Sequence, residues 1–159
     1  MKHFIFALLI FVSAPLLAGD NPTERPFWGT FSGVANFLPT DACVDISPVQ
    51  TIADAVGKMT HLGKSVLSTS HCTTEDGHAV LGQATMTAAN ADEVWLTYNA
   101  ETVFPPPLII QEIDMVVTGG TGRFDGASGE LSGYAYVEFL GFTVPDWPIT
   151  FVLSGYIVY

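Results

Sequence analysis

Basic residues are scarce in this sequence. It has five lysine and arginine residues against sixteen aspartate and glutamate residues, which gives a formal net charge of −11. A surface with this balance repels nucleic acid and anionic lipid, because both are negatively charged. We therefore expect no nucleic-acid partner. The acidic residues are scattered along the chain, so they do not indicate a disordered acidic tail.

Long apolar segments are also missing. The first apolar run, residues 4–12, is too short for a membrane-spanning helix of about 20 residues. It follows the basic Lys2 and precedes the small residue Ala18, so the sequence predicts a secretory signal peptide over residues 1–19. Residues 20–159 then form a single domain, with four basic and sixteen acidic residues and a charge of −12. We expect a secreted or periplasmic protein.

Cysteine is nearly absent, since Cys43 and Cys72 are the only two in the chain. Both follow the predicted signal peptide, and an oxidising compartment favours a disulfide between them. Such a bridge would close a loop of about 30 residues and contribute roughly 3 kcal/mol through the unfolded state. Two buried thiols are the alternative.

Motifs for cofactors and nucleophiles are lacking. A strand followed by glycines at 119, 120 and 122 suggests a dinucleotide fingerprint, but Asp125 stands where the third glycine is required. No G-x-S-x-G nucleophile elbow is present. We therefore expect no cofactor.

Metal-ligand spacing is lacking as well. The candidate ligands are His61, His71, Cys72, Asp76 and His78. Their spacing matches no compact zinc signature, and a disulfide would remove Cys72. We expect no metal site.

Alternation with a period of two is what the sequence does contain, and it predicts strands. One face of the first run carries Phe27, Gly29, Phe31, Gly33, Ala35 and Phe37. Large and small side chains on one face suit the interior of a small barrel. Seven runs are clear, an eighth at residues 50–55 is either a strand or one helical turn, and residues 57–74 form one bent strand or two. The prediction is an all-β fold, a small antiparallel up-and-down β-barrel of about eight strands.

A glycine-rich reversal joins an apolar run to an alternating run near residue 120, with five glycines in eleven residues. Glycine reaches positive φ without steric cost, so this segment is a specified turn between strands. The residues predicted to build it are Gly119, Gly120, Gly122, Arg123, Phe124 and Gly126. Arg123 is expected to pair with a local acid or carbonyl, and binding a carboxylate ligand at a barrel mouth is the alternative.

This turn resembles that of bacterial proteins related to the allene oxide cyclase and dirigent barrels, through the motif Gly-Gly-Thr-Gly-Arg-Phe that begins at Gly119. Residues 26–33, 60–64 and 153–159 fit the same resemblance, which spans nearly all of the mature chain. The resemblance implies a small antiparallel β-barrel and a homotrimer. No catalytic residue of the cyclases or dirigent proteins can be matched to a position here.

Two acids are the weak candidates for catalysis. Glu112 and Asp114 lie two residues apart on one predicted strand, so their side chains point to the same side. Inside a barrel they would have separated pKa values and could perform acid–base chemistry. We favour a solvent-exposed face, because Ile113, Met115 and Val117 make the better core face.

Two functions compete. The first is an exported, non-enzymatic barrel that binds a hydrophobic small molecule or a protein partner. The alternative is an isomerase or cyclase of the allene oxide cyclase type, which would use a barrel-interior carboxylate. An outer-membrane barrel is disfavoured, because Glu112, Glu130 and Glu138 interrupt any uniformly apolar outer band, and we expect no membrane span.

Overall fold

A computed structural model describes residues 23–47, 49–103, 108–141 and 144–159. The predicted signal peptide, residues 1–19, lies outside the described residues. Within them, no helix has the length and apolar character needed to cross a membrane.

Eight antiparallel strands form a closed barrel in which each strand pairs with its neighbours along the chain and the last pairs with the first. The strands are β1 (Arg25–Pro39), β2 (Val49–Met59), β3 (Gly63–Thr73), β4 (Ala79–Ala88), β5 (Glu93–Val103), β6 (Leu108–Gly120), β7 (Ser128–Glu138) and β8 (Trp147–Val158). The predicted all-β, up-and-down barrel of about eight strands is confirmed.

The region that was ambiguous in sequence is a β-hairpin. Residues 50–55 belong to β2, which pairs with β1 from Gly29↔Met59 to Pro39↔Val49. The alternative of a helical turn at these residues is therefore wrong. Residues 57–74 contain the end of β2 and all of β3, so the single bent strand is wrong too. The chain reverses at His61, whose φ of 66° is in the left-handed region suited to tight turns.

The two ends of the barrel differ. The end that holds the β2–β3, β4–β5 and β6–β7 turns, called the closed end, is filled by large buried side chains. These are Phe27, Leu62, Phe124 and Ile157. The other end, called the open end, holds the β1–β2, β3–β4, β5–β6 and β7–β8 connections.

The glycine turn lies at the closed end. It contains a short 3₁₀ turn at Gly122–Phe124. Gly122, the first residue of this turn, has a positive φ of 58°, and Gly126 beyond it has a φ of 72°. Nε of Arg123 lies 3.5 Å from Oδ2 of Asp92 in the β4–β5 turn, and Phe124 is buried in the core. Arg123 therefore pairs with a local acid, and at this end of the barrel it cannot reach a ligand at the open end.

A disulfide joins Cys43 to Cys72, with 5.6 Å between the two Cα atoms. Cys43 lies in the connection between β1 and β2, and Cys72 lies near the end of β3. Both side chains are buried. The bridge therefore ties the longest described connection at the open end to the barrel wall, and the predicted pairing is confirmed.

We expect the double substitution Cys43→Ala/Cys72→Ala to lower the free energy of unfolding by roughly 3 kcal/mol, because the unfolded chain regains the entropy of a closed loop with a sequence separation of 29. Urea denaturation of both proteins measures the difference. Wild-type protein treated with a thiol reductant should match the double variant. Equal midpoints for oxidised and reduced wild type would contradict the expectation.

The glycine turn allows a matched pair of substitutions. Gly126→Ala should lower the free energy of unfolding by about 1 kcal/mol. Positive φ is the sole cause, because no atom lies within 4 Å of the added Cβ. Gly122→Ala should cost at least about 1 kcal/mol more, since its Cβ would overlap the Asp92 carboxylate that pairs with Arg123. Chemical denaturation measures the free energy of unfolding of both variants. Equal losses would show that the Asp92 carboxylate adds nothing to the effect of Gly122→Ala.

Candidate functional site

A cavity of about 70 Å³ lies inside the barrel toward the open end, and we call it the inner cavity. Its apolar wall is built from alternate residues of several strands. These include Ala35, Ala53, Ile113, Val137, Ile149 and Phe151. Several inward positions here carry alanine or threonine, such as Ala35, Ala53 and Thr69, and these leave space between the larger lining side chains.

A buried pair of polar side chains, His71 on β3 and Tyr98 on β5, also lines the inner cavity. Nδ1 of His71 lies 2.7 Å from the hydroxyl of Tyr98, and the two rings are nearly perpendicular at 82°. The exposed fractions are 6% for His71 and 7% for Tyr98. Their hydrogen bond satisfies one polar atom of each residue away from bulk water.

Strand β4 lies between these two residues, and its local geometry lets them meet. A Cβ at Gly82 would lie only 2.6 Å from Cδ1 of the Tyr98 ring, so the ring occupies space that any other residue would fill. The β3–β4 pairing shifts register between Ser70 and Cys72, and the β4–β5 pairing shifts between Ala79 and Gly82. Each of the two side chains faces inward by the alternation of its own strand, and Gly82 on the strand between them leaves the space in which they meet.

Burial keeps both groups of the pair neutral. Loss of water around the imidazolium lowers the pKa of His71 to about 4, since the charged form is penalised in the interior. Burial raises the pKa of Tyr98, while a hydrogen bond from the Thr69 side chain acts in the opposite direction. At neutral pH the interior therefore presents an uncharged imidazole and an uncharged phenol.

The remaining polar groups of the inner cavity are partnered across strands. The hydroxyls of Thr51 and Thr73 are 2.7 Å apart, and Nε2 of Gln111 donates to Oγ1 of Thr102 at 3.1 Å. Among the described lining residues none is an aspartate, glutamate, lysine or arginine. The interior thus offers hydrogen bonds without any formal charge.

An apolar cleft of about 490 Å³ lies at the open end beside the inner cavity, and Phe37, Ile109 and Trp147 line both. We call this cleft the apolar mouth, after its lining side chains Phe37, Ile109, Phe139 and Trp147. The Trp147 ring lies 4.6 Å from the Phe37 centroid and 4.9 Å from the Phe139 centroid, edge to face with both. Glu75 contributes the single charge among the described residues of the mouth.

The candidate acids lie elsewhere. Glu112 and Asp114 are exposed on the outer face of β6, and Glu112 accepts a hydrogen bond from the Tyr134 hydroxyl at 3.4 Å. The alternative in which either residue supplies a carboxylate inside the barrel is therefore wrong, because Ile113 and Met115 occupy the inward positions.

The three histidines named in the sequence analysis are separated. His61 is in the β2–β3 turn at the closed end, where Nε2 lies 3.1 Å from the Pro26 carbonyl oxygen. His78 precedes β4, and its Nδ1 accepts a hydrogen bond from the backbone N–H of Thr102. In the described part of the chain, no three histidine, cysteine, aspartate or glutamate residues could hold a metal ion together.

Sequence reasoning missed the inner cavity. Tyr98 was not singled out, and a phenol on the same strand face as Val94, Leu96 and Ala100 was the available signal. His71 was considered only as a metal ligand. Their meeting depends on how β3 and β5 pair with β4, which the alternation pattern does not reveal.

The fold and the cavity define a closed, eight-stranded antiparallel barrel with one open, apolar end. No protein-family model and no curated protein matches this sequence. A solved structure of a pterocarpan synthase dirigent protein is similar, with a TM-score of 0.48 and 14% identity over 95% of this chain and 97% of that chain. A likeness of this degree concerns the fold alone.

The neutral state of His71 makes stability depend on pH. The unfolded chain takes up a proton at this residue as pH falls below 6.5, whereas the folded chain does so only near pH 4. With respect to this residue, the free energy of unfolding is therefore highest above pH 6.5 and decreases by roughly 3 kcal/mol as pH falls to about 4.

We expect the difference in unfolding free energy between wild type and His71→Gln to decrease by that amount from pH 7 to pH 4. Denaturation series at several pH values measure it, and carboxylates common to both proteins cancel in the comparison. A difference that does not vary with pH would show that His71 is not a buried neutral group.

Proposed function

We propose that this protein is an exported, non-enzymatic β-barrel that binds an apolar small molecule at its open end. The observation that carries the proposal is the apolar mouth, which shares Phe37, Ile109 and Trp147 with the lining of the inner cavity. Small-molecule sites in proteins are concave, mostly apolar and equipped with a few polar groups that fix orientation. The open end combines these three properties.

The size and chemistry of the mouth favour a small organic ligand. Its volume of about 490 Å³ falls within the usual range for such sites. Phe37, Phe139 and Trp147 provide aromatic area that a planar or aliphatic ligand can cover. Covering this area removes apolar surface from water, which is the main source of affinity for an uncharged ligand.

A protein partner receives less support. Exposed apolar residues on the outer wall, such as Trp28 and Val56, alternate with polar neighbours along their strands. Scattered exposed apolar residues are normal on soluble proteins and do not mark a docking site.

The cyclase alternative requires a carboxylate inside the barrel. The described lining of the inner cavity contains none, and Glu112 and Asp114 face outward. Binding is therefore the better-supported function.

Export, family and assembly are parts of the same proposal. The disulfide between Cys43 and Cys72 suits an oxidising compartment, which agrees with a signal peptide over residues 1–19. The Gly-Gly-Thr-Gly-Arg-Phe motif supports a place among the bacterial proteins related to allene oxide cyclase and dirigent barrels. A homotrimer follows from that resemblance and from no residue described above.

The proposal is tested with residues 20–159 and diphenylhexatriene, a neutral dye that has no hydrogen-bonding group and fluoresces in apolar surroundings. We expect saturable binding that is roughly tenfold weaker in Phe139→Ala, because a ring lining the mouth is removed. Phe139 is only partly buried, so this variant should fold.

Trp28→Ala is the matched control, since Trp28 is 59% exposed on the outer wall. Its dye affinity should equal that of wild type. Absence of saturable binding, or an equal loss in both variants, would overturn the proposal.

A further inference from the structure

We infer that the ligand carries one uncharged hydroxyl head group, which enters the inner cavity and forms a hydrogen bond with Nε2 of His71, and that the barrel rejects ionised ligands such as fatty-acid anions. This inference rests on the proposed function and adds to it the chemical class of the ligand and its orientation.

The second ring nitrogen of His71 is the polar atom that a ligand can reach. Nδ1 is engaged by Tyr98, whereas no described residue forms a hydrogen bond with Nε2. The side chain is more than nine-tenths buried and lines the inner cavity. No described polar side-chain atom is both fully buried and unsatisfied, so Nε2 retains access to the cavity.

The hydrogen bond between Nδ1 of His71 and the Tyr98 hydroxyl has two possible directions. The neutral imidazole carries its single proton on Nε2 when the phenol donates, and on Nδ1 when the imidazole donates. Nε2 accordingly offers a ligand a donor in the first case and an acceptor in the second. A hydroxyl group fits both tautomers, because it can donate as well as accept.

Charge excludes ionised ligands. The described lining of the inner cavity has no cation to pair with a carboxylate and no carboxylate to pair with an ammonium. An ion moved into such a site loses its hydration without compensation. For an anion, Glu75 at the mouth and the net charge of −11 add repulsion of the same sign.

Volume fixes the orientation. The inner cavity, at about 70 Å³, has room for a few water molecules or a small head group but not for a long chain. The apolar mouth is several times larger and lies outside it. The head therefore points inward to His71, and the apolar part of the ligand covers Trp147 and its aromatic neighbours.

Displacement of diphenylhexatriene from residues 20–159 at pH 7 tests the inference with three ligands of equal chain length: octanol, octanoate and octylammonium. We expect octanol to displace the dye and both ions to be at least about tenfold weaker, because their charges would be buried without a partner. Either ion competing as well as octanol would overturn the inference.

A cavity variant and a surface control locate the head group. His71→Leu should weaken octanol roughly threefold to tenfold by removing one hydrogen bond, while dye affinity stays unchanged. Trp28→Ala is the control, because Trp28 is exposed on the outer wall, and its octanol affinity should equal that of wild type. Unchanged octanol affinity in His71→Leu would also overturn the inference.

The outcomes separate the two proposals. If the dye does not bind to the mouth, the binding function itself fails. If the dye binds and Phe139→Ala weakens it, but octanoate competes as well as octanol, the binding function stands and only the uncharged head group is wrong.

Discussion

Pairing between β1 and β8 is the interaction on which the rest of this structure depends. It brings the two ends of the described chain together, as in the partners Phe31 and Phe151, and removes both free edges of the sheet. Closure around eight strands also fixes a narrow interior, so bulky inward side chains need small neighbours. Gly57 on β2 is one of these, because a Cβ there would lie 2.8 Å from Cδ1 of the Phe31 ring.

That narrow interior is used differently at its two ends. Phe27 and Phe124 fill the closed end, and the glycine turn brings Phe124 to its place. At the open end, Ala35 and Ala53 occupy inward positions and leave the inner cavity. A barrel needs one filled end for a dry core, and the other end can then hold polar groups and empty space without loss of the fold.

The His71–Tyr98 pair shows how a polar site in the interior lowers the stability of the barrel. Two polar rings in the interior give up hydration and recover part of it through one hydrogen bond and a contact with Thr69. Phenylalanine or leucine at the same positions would pack without that cost. The loss in stability is consistent with a binding role for the pair, which connects the burial of these residues to the ligand chemistry proposed for the open end.

Features that depend on local order could be predicted from the sequence. Alternation indicated the strands, glycines indicated the turn at Gly122, and two cysteines in the predicted exported domain indicated the disulfide. The contact between His71 and Tyr98, which are 27 residues apart, depends instead on the tertiary structure. The pairing of β3 and β5 with β4 places both side chains beside Gly82, and no single segment encodes the register of that pairing.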